Sequence, residues 1–291
     1  MKSTVVFYHS SCPDGFGAAW AAWRKLGNGA QYVPISASQT PDQLEGMRLE
    51  GRKIYFLDVC APAATLKKLA AGNRSVTVID HHRTNGDRGD LALVDPDAAA
   101  TGLLIHRVLT ALRYDIDPDV AVNLYVAVLT DTGSFHYSSA SPEAFEVAGD
   151  MIRRGVDPWG VAEQVYETQS AGRLRLLGRV LGSLEIASGG RVASIATTRT
   201  DLSEFAEGKD ALEGFINYPR SIVGVEVAVS FREEERGGIR VSFRSKGRVD
   251  VSAVAARFGG GGHRNAAGCT VPGTLAEVRR KVTEALEAVL P

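Results

Sequence analysis

The 291-residue sequence contains few cysteines, no long apolar run and no excess of either charge. Its three cysteines are an odd number without paired spacing, so they predict neither a disulfide framework nor a cysteine-based zinc site. No stretch approaches the roughly 20 apolar residues of a membrane-spanning helix. The first residues also lack the charged start and apolar core of a secretory signal. These absences lead us to expect a cytoplasmic protein without a membrane partner.

The charges are balanced, with 33 lysines and arginines against 34 aspartates and glutamates and a formal net charge of −1. Because no overall basic field attracts long nucleic acid, we expect short single-stranded RNA or DNA, or a mononucleotide, rather than a long duplex. Hydrophobic residues make up 44% of the chain, and its length allows two domains that each bury a core.

The most informative feature is the polar triplet Asp80-His81-His82, which directly follows the β-branched run at residues 75–79. That run has the length and composition of a buried strand. In α/β folds, active sites form in the crevice beyond the carboxyl ends of the strands. Hydrophobic burial does not explain such a polar triplet. The alternative interpretation is a surface turn that carries two unrelated histidines.

Three further apolar runs end in an acid, and we interpret all four runs as strands whose ends converge. They are residues 5–8 before His9 and Asp14, residues 53–57 before Asp58, and residues 126–130 before Asp131. Carboxylates with imidazoles suit Mn²⁺, Mg²⁺ or Zn²⁺, and two such ions can clamp a phosphate ester. An aspartate after a strand is also often the N-cap of the next helix, which remains an alternative for Asp14 and Asp131.

Strands alternate with helical stretches in the first half of the chain, which predicts an α/β fold. We expect a parallel-sheet domain at residues 1–155 with helices on both faces, a helical linker at 156–188, and a smaller mixed α/β domain at 189–291. The predicted helices are residues 16–26, 42–48, 61–71, 101–112, 142–154 and 275–290. The predicted strands of the second domain are residues 192–197, 224–231 and 239–245.

These motifs together resemble the DHH phosphoesterases that carry a DHHA1 domain. The resemblance rests on Asp80-His81-His82, Asp58, residues 131–135 and the glycine-rich segment at 259–268, and it spans nearly the whole chain. Residues 213–220 and 241–247 are most similar to the nanoRNase and pAp-phosphatase branch. Several separately spaced motifs in the right order are far more specific than a single glycine run.

The resemblance implies a role for each acid and imidazole of a two-metal site, most often filled by Mn²⁺, with Mg²⁺ or Zn²⁺ as alternatives. Asp58 would bridge the two ions, and His81 with Asp131 would complete one of them. His9 and Asp14 would serve as ligands from the first motif. For catalysis, His82 would face the substrate phosphate and Asp80 would orient a neighbouring imidazole.

The first motif departs from the family pattern, in which a histidine is followed by two aspartates one residue apart. This chain offers Asp14 alone, so either Cys12 stands in place of the first acid or Phe16 in place of the second. A thiolate at Cys12 would favour Zn²⁺. The alternative is that Cys12 is simply a small packed residue.

The resemblance places the substrate contacts of the second domain at Arg244, Ser245, Gly261, Gly262 and His263. Glycines allow the backbone to approach a ligand and expose N–H groups to an anion, and arginine suits bidentate phosphate binding. A glycine-rich turn between a helix and a strand is the alternative.

Four weaker candidates remain. Thr101 opens a helix and could cap it or contact a phosphate, and His136 lies close in sequence to Asp131. Arg220 could assist phosphate binding. Tyr218 could stack on a base, and its segment is expected to be extended because Pro219 follows it.

We therefore predict a bilobal, metal-dependent phosphohydrolase that acts on short oligonucleotides or pAp-like nucleotides in a cleft between its domains. A phosphodiesterase for cyclic dinucleotides or their linear products is the alternative within enzymes. A nucleotide-binding sensor that has lost hydrolysis is the alternative of another class. An inorganic pyrophosphatase fits the Gly262-His263 pattern poorly. The sequence leaves a homodimer open.

Overall fold

The computed structural model describes residues 2–10, 12–36, 43–44, 46–82, 89–205, 211–235 and 237–290, with only the backbone of His263. The chain divides into two compact units, Met1–Glu167 and Thr168–Pro291. Within the described ranges, no helix has the length and apolar character needed to cross a membrane.

The first unit is built on a five-stranded parallel sheet in the order β2-β1-β3-β4-β5. Its strands are β1 Thr4–His9, β2 Ala30–Ile35, β3 Lys53–Leu57, β4 Ser75–Asp80 and β5 Leu91–Val94. The predicted parallel sheet is confirmed. The two edge strands were not predicted: β2 contains Pro34, which only an edge strand tolerates, and β5 has just four residues.

The helices of this unit are α1 Pro13–Leu26, α2 Ala63–Gly72, α3 Thr101–Ala111, α4 Pro118–Asp131, α5 Pro142–Arg153 and α6 Pro158–Tyr166. Helices α4, α5 and α6 start in the same way, with a proline at the first position. The preceding Asp117, Ser141 and Asp157 each accept a hydrogen bond from a backbone N–H of the first turn. Such caps fix where a helix begins.

Successive side chains of each strand enter two different cores, one on each face of the sheet. Val6 packs with Leu103 of α3 on one face, whereas Val5 and Phe7 pack with Leu66 of α2 on the other. This alternation is the direct consequence of the two-residue period of a strand. The predicted arrangement of helices on both faces is confirmed.

The prediction of a strand at residues 126–130 is wrong, because these residues form the last turns of α4 and Asp131 is its final residue. Leu124 and Val128 are buried four residues apart, which is a helical spacing. A short apolar run cannot be assigned to a strand or a buried helix by periodicity alone. The predicted helix at residues 42–48 lies partly outside the described residues.

The second unit has a six-stranded mixed sheet in the order β10-β11-β9-β8-β7-β6, in which only β7 and β8 are parallel. Its strands are β6 Glu185–Ala187, β7 Val192–Thr197, β8 Val227–Glu233, β9 Ile239–Ser245, β10 Gly261–His263 and β11 Ala266–Val271. Its helices are α7 Ala171–Leu181, α8 Arg199–Phe205, α9 Asn217–Ser221, α10 Val251–Ala256 and α11 Leu275–Glu287. The mixed α/β character expected for this half of the chain is confirmed.

Helices α10 and α11 cover one face of this sheet, where Val278 and Val282 share a core with Phe231 and Phe243. On the opposite face, a smaller core joins Ile195 of β7 to α7. Between residues 158 and 181 the helical pattern forms two helices, α6 in the first unit and α7 in the second.

The prediction of an extended segment before Pro219 is wrong, because Asn217–Ser221 forms the short helix α9. Pro219 is its third residue. In the first turn of a helix a backbone N–H has no partner within the helix, so proline is tolerated there.

The two leucines Leu104 and Leu112 provide a test of this packing, because the first is 0% and the second 61% exposed on or beside α3. Leu104→Ala should lower the free energy of unfolding by about 2–5 kcal/mol, since it leaves a cavity in the core. Leu112→Ala should change it by less than about 0.5 kcal/mol. Urea unfolding followed by circular dichroism measures both, and similar losses for the two variants would contradict the assigned packing.

Candidate active site

The polar residues at the ends of three neighbouring strands meet at one edge of the first sheet. His9 ends β1, Asp58 follows β3, and Asp80 ends β4 with His81 and His82 directly after it. Strands β1, β3 and β4 are adjacent and parallel, so their carboxyl ends lie side by side. Two helices add acids to this edge, with Asp14 in the first turn of α1 and Asp131 at the end of α4.

Asp58 lies at the centre of the cluster and is buried. Its Oδ2 is 3.3 Å from Nδ1 of His9, whereas its Oδ1 is 3.5 Å from Nε2 of His81 and 3.7 Å from Nδ1 of His82. The hydroxyl of Thr101 donates a hydrogen bond to Oδ1 at 3.0 Å. The backbone of Asp58 has a φ of 59°, a left-handed conformation that is uncommon outside glycine. The two oxygens of Asp58 therefore face different imidazoles.

Asp14 is completely buried and is held by the start of α3. The backbone N–H groups of Thr101 and Gly102 donate to its two oxygens, each at 2.6 Å. The side chain of Ala100, the N-cap residue of α3, accepts no hydrogen bond from the first turn of the helix. Asp14 therefore supplies the acceptor for these backbone N–H groups. A Cβ at Gly102 would lie 2.6 Å from the Cβ of Ala127, so glycine is required for this approach. Burial, and then the charges of Asp58 and Asp131, raise the pKa of Asp14 well above its usual value.

The imidazole of His81 faces three carboxylates. Its Nε2 is 3.2 Å from Asp131, 3.5 Å from Asp58 and 3.7 Å from Asp14. Its Nδ1 lies 3.2 Å from the backbone carbonyl of Ala98, which can only accept, so Nδ1 carries the proton that bonds to it. Burial opposes the charged form, but the hydrogen bond to Asp131 and the three carboxylates outweigh it and raise the pKa of His81 to about 9.

His82 is paired with Asp80, the first residue of the triplet. Its Nδ1 is 2.7 Å from Oδ1 of Asp80, and its backbone N–H donates to the same oxygen at 3.0 Å. Asp80 itself is fully buried. The hydrogen bond that the His82 ring donates to Asp80 outweighs burial and raises the pKa of His82. Asp80 thus fixes both the position and the ring orientation of its neighbour.

Cys12 and Phe16, the two residues that could replace the missing acid, lie in different surroundings. The Cys12 sulfur is 3.7 Å from Oδ1 of Asp131. Burial, and then the charges of Asp131, Asp58 and Asp14, raise the pKa of this thiol, which favours a neutral packed residue over a thiolate. Phe16 is half exposed and its ring stacks on Trp20. Neither residue adds a carboxylate to the cluster.

Three overlapping groups of side chains in the described part of the chain are placed to hold a metal ion. Within each group the ligand atoms lie within 4.8 Å of one another, and the groups are His9 with Cys12 and Asp58, Asp58 with His81 and His82, and Asp14 with His81 and Asp131. Oxygen and imidazole donors of this kind fit a hard or borderline divalent ion. Such an ion would offset the repulsion among the buried carboxylates, so the donor set fits a metal site.

The sequence analysis missed one residue that positions this cluster, Ala98, and gave the helix start at Thr101 and Gly102 only a minor place. Thr101 contacts both Asp14 and Asp58. The available signal was a run of small residues at 98–100 directly before a Thr-Gly helix start. His136 is exposed and takes no part in the three groups.

In the second unit, the predicted substrate residues share one end of the sheet. Arg244 on β9 is opposite Ala266 on β11, which in turn is opposite His263 on β10. Ser245 is buried, and its hydroxyl is 3.2 Å from the side-chain oxygen of Asn265. Gly262 has a φ of 145°, and a Cβ there would lie 2.5 Å from the carbonyl oxygen of Ala266.

Glycine is therefore required at position 262 of β10, while neighbouring Gly261 is exposed. Tyr218 and Arg220, the other weak candidates, both belong to α9, and Tyr218 is half exposed.

Comparison with known proteins matches residues 192–290 to the DHHA1 domain. The chain is 31% identical to the bifunctional oligoribonuclease and PAP phosphatase NrnA of Thermus thermophilus, over 96% of this chain and 87% of that protein. It is 28% identical to the cyclic-di-AMP phosphodiesterase PdeA of Listeria monocytogenes, over 81% of this chain and 36% of that protein.

Among solved structures, an exopolyphosphatase-related protein from Bacteroides fragilis is similar with a TM-score of 0.84 and 27% identity, over 98% of this chain and 91% of that one. The shared fold, the metal-binding edge and 31% identity across almost the whole chain agree with one another. The chain belongs to the DHH/DHHA1 phosphoesterases, a metal-dependent family, within the branch of oligoribonucleases and PAP phosphatases.

Proposed function

We propose that the protein is a manganese-dependent phosphohydrolase that cleaves short single-stranded oligonucleotides and removes a phosphate from pAp-like nucleotides. The observation that supports this most is Asp58, whose two oxygens face imidazoles on different sides. Such a carboxylate can be shared by two cations, which is the arrangement that phosphate-ester hydrolysis uses. Similarity to proteins named as oligoribonuclease and PAP phosphatase supports the substrate class.

The ligands divide unequally between the two proposed ions. Asp14, His81 and Asp131 would hold one ion together with Asp58, and His9 would hold the other with Asp58. Because Cys12 and Phe16 add no carboxylate and burial raises the pKa of the Cys12 thiol, the second ion has fewer acidic ligands. We expect it to be bound more weakly than the first. When bound, divalent ions supply a nucleophilic hydroxide by lowering the pKa of a coordinated water.

His82 is the proposed contact to the reacting phosphate. Because its Nδ1 is held by Asp80, its Nε2 remains as the nitrogen that can donate to a phosphate oxygen. The raised pKa favours the protonated, donating form. A donor fixed before the reaction stabilises the negative charge that develops on the phosphate oxygens. Asp80 acts by orienting this donor rather than by touching the substrate.

The second unit supplies the proposed grip on a phosphate away from the reacting bond. Arg244 ends in a planar guanidinium that matches a phosphate bidentately, and Gly262 and His263 lie on the same end of the sheet. Because the three cysteines lack paired spacing, we propose a cytoplasmic location.

A phosphodiesterase for cyclic dinucleotides is the second candidate, favoured by the similarity to the cyclic-di-AMP phosphodiesterase over 81% of this chain. A sensor without turnover is the third, favoured by the absence of a second acid in the first motif. All three share the same donor set. They differ in the ligand that is consumed, so a substrate panel separates them.

The purified protein should hydrolyse pAp and 5′-phosphorylated RNA of two to five nucleotides with Mn²⁺, and cyclic dinucleotides and pyrophosphate much more slowly. Asp131→Asn should lower kcat/KM on the preferred substrates by more than about 100-fold, because it removes a ligand that also contacts His81. Chromatography of released products, with Mn²⁺, Mg²⁺ and Zn²⁺ in separate reactions, measures both effects.

Asp115→Asn is the matched control, since Asp115 is exposed and lies before α4. Faster turnover of cyclic dinucleotides would favour the second candidate. Nucleotide binding without turnover under every ion would favour the sensor, and full activity of Asp131→Asn would contradict the proposed metal site.

Thr101→Val should lower the affinity for Mn²⁺ by about 10–100-fold, because Asp58 loses the hydroxyl that orients it. Valine keeps the shape of threonine at this buried position. Isothermal titration calorimetry of the metal-free protein measures the change. Thr110→Val, at an exposed position of the same helix, should leave the affinity unchanged. Equal affinities for the two variants would show that Asp58 is oriented without Thr101.

A further inference from the structure

The sheet of the second unit has a polar trough on the face opposite α10 and α11. Along β9, Arg240, Ser242 and Arg244 alternate with the buried Val241 and Phe243. In the neighbouring strands, Ser230 of β8 is opposite Ser242, Arg232 of β8 is opposite Arg240, and Thr270 of β11 is opposite Arg240. Together with residues 212–214, Ile216 and Glu234, these side chains line a cavity of about 480 Å³, which we call the arginine trough.

The charges in the trough leave a net attraction for an anion. Arg232 donates to Glu234 at 3.0 and 2.6 Å, so that pair is largely neutralised. Glu213 is the other acid of the trough, against Arg240 and Arg244. The exposed guanidinium of Arg240 lies over Gly268, where a Cβ would be 3.3 Å from one of its nitrogens. Glycine at this position therefore leaves Arg240 room to lie across β11.

A guanidinium beside hydroxyl groups is a typical phosphate-binding combination. Arg240 has Thr270 opposite it and Ser242 two residues further along the same face of β9. Arg240 and Arg244 are four residues apart on one strand, which corresponds to about 13 Å. That separation is too large for a single phosphate and suits two phosphates of one chain.

The proposed substrates differ in their number of phosphates, and this difference indicates which phosphate Arg240 would bind. Both pAp and a 5′-phosphorylated dinucleotide carry two phosphates, of which one reacts and one is left for Arg244. A trinucleotide carries a third. We infer that Arg240, assisted by Ser242 and Thr270, binds this additional phosphate and so favours oligonucleotides of three or more residues. This inference rests on the proposed function, in particular on Arg244 as a phosphate contact.

Binding of 5′-phosphorylated di- and trinucleotides to the full-length Asp131→Asn protein in Mn²⁺ tests the inference, because the ligand is not consumed. Arg240→Met should weaken trinucleotide binding about 10-fold and change dinucleotide binding less than twofold. It should also reduce the slope of log K against log salt concentration by about 0.7 for the trinucleotide alone, the value for one lost phosphate contact on a single strand. Arg240→Lys keeps the charge and should retain part of the affinity.

Two variants serve as references. Arg280→Met removes an exposed arginine from α11 on the other face of the sheet, where its partner is Glu284, and should change nothing. Arg244→Met should weaken the binding of both the dinucleotide and the trinucleotide. Equal losses on the two ligands with Arg240→Met, or no loss on either, would overturn the inference.

Turnover by the unmodified protein is measured separately from this binding. If the chain-length effect of Arg240 is found but pAp and RNA are not hydrolysed, the proposed function fails while the additional phosphate site stands. If both substrates are hydrolysed and Arg240→Met binds the two ligands as the unmodified protein does, the proposed function stands and the additional site fails.

Discussion

The structure of the first unit depends on the placement of three carboxylates around one imidazole nitrogen, with Asp14, Asp58 and Asp131 all within 3.7 Å of Nε2 of His81. Negative charges this close to one another, and largely removed from water, are costly unless positive charge or hydrogen-bond donors offset them. The protein provides some of this compensation itself, through the N–H groups at the start of α3, the Thr101 hydroxyl and His81. A divalent cation would supply the remainder, so the arrangement fits a metal ion as its ligand set.

Much of this arrangement could be predicted, because strand ends in a parallel sheet must share one edge. The Asp80-His81-His82 triplet and Asp58 lie where the sequence indicated, at the ends of β4 and β3. The element before Asp131 could not be assigned, since its apolar run fits both a strand and a buried helix. The role of Thr101 could not be predicted either, because its contacts to Asp14 and Asp58 join positions 87 and 43 residues away along the chain. Such contacts depend on how the helices pack and leave no local pattern.

The sequence left open whether Cys12 or Phe16 takes the place of the missing acid in the first motif, and the structure shows the surroundings of both. Burial and three neighbouring carboxylates raise the pKa of the Cys12 thiol, which opposes a thiolate in place of the missing acid. Phe16 instead belongs to a cluster of aromatic rings with Tyr8 and Trp20. The ligand set therefore becomes unequal, with most of the negative charge on the side of Asp14 and Asp131. An enzyme of this kind can keep its chemistry if the weaker ion binds together with the phosphate, whose own charge replaces the lost carboxylate.

The two units carry opposite charges at the residues that we propose to contact the substrate. The first concentrates negative charge, which suits cations, whereas the second presents arginines directly on a sheet. Strand β9 serves both packing and the surface, because its odd-numbered residues build the core and its even-numbered residues face the arginine trough. If Arg240 and Ser242 bind a phosphate as we infer, substitutions there alter which phosphates are recognised without disturbing Val241 or Phe243. Under the same inference, chain-length preference can change by such substitutions on β9, while the residues around Asp58, the proposed hydrolytic site, stay the same.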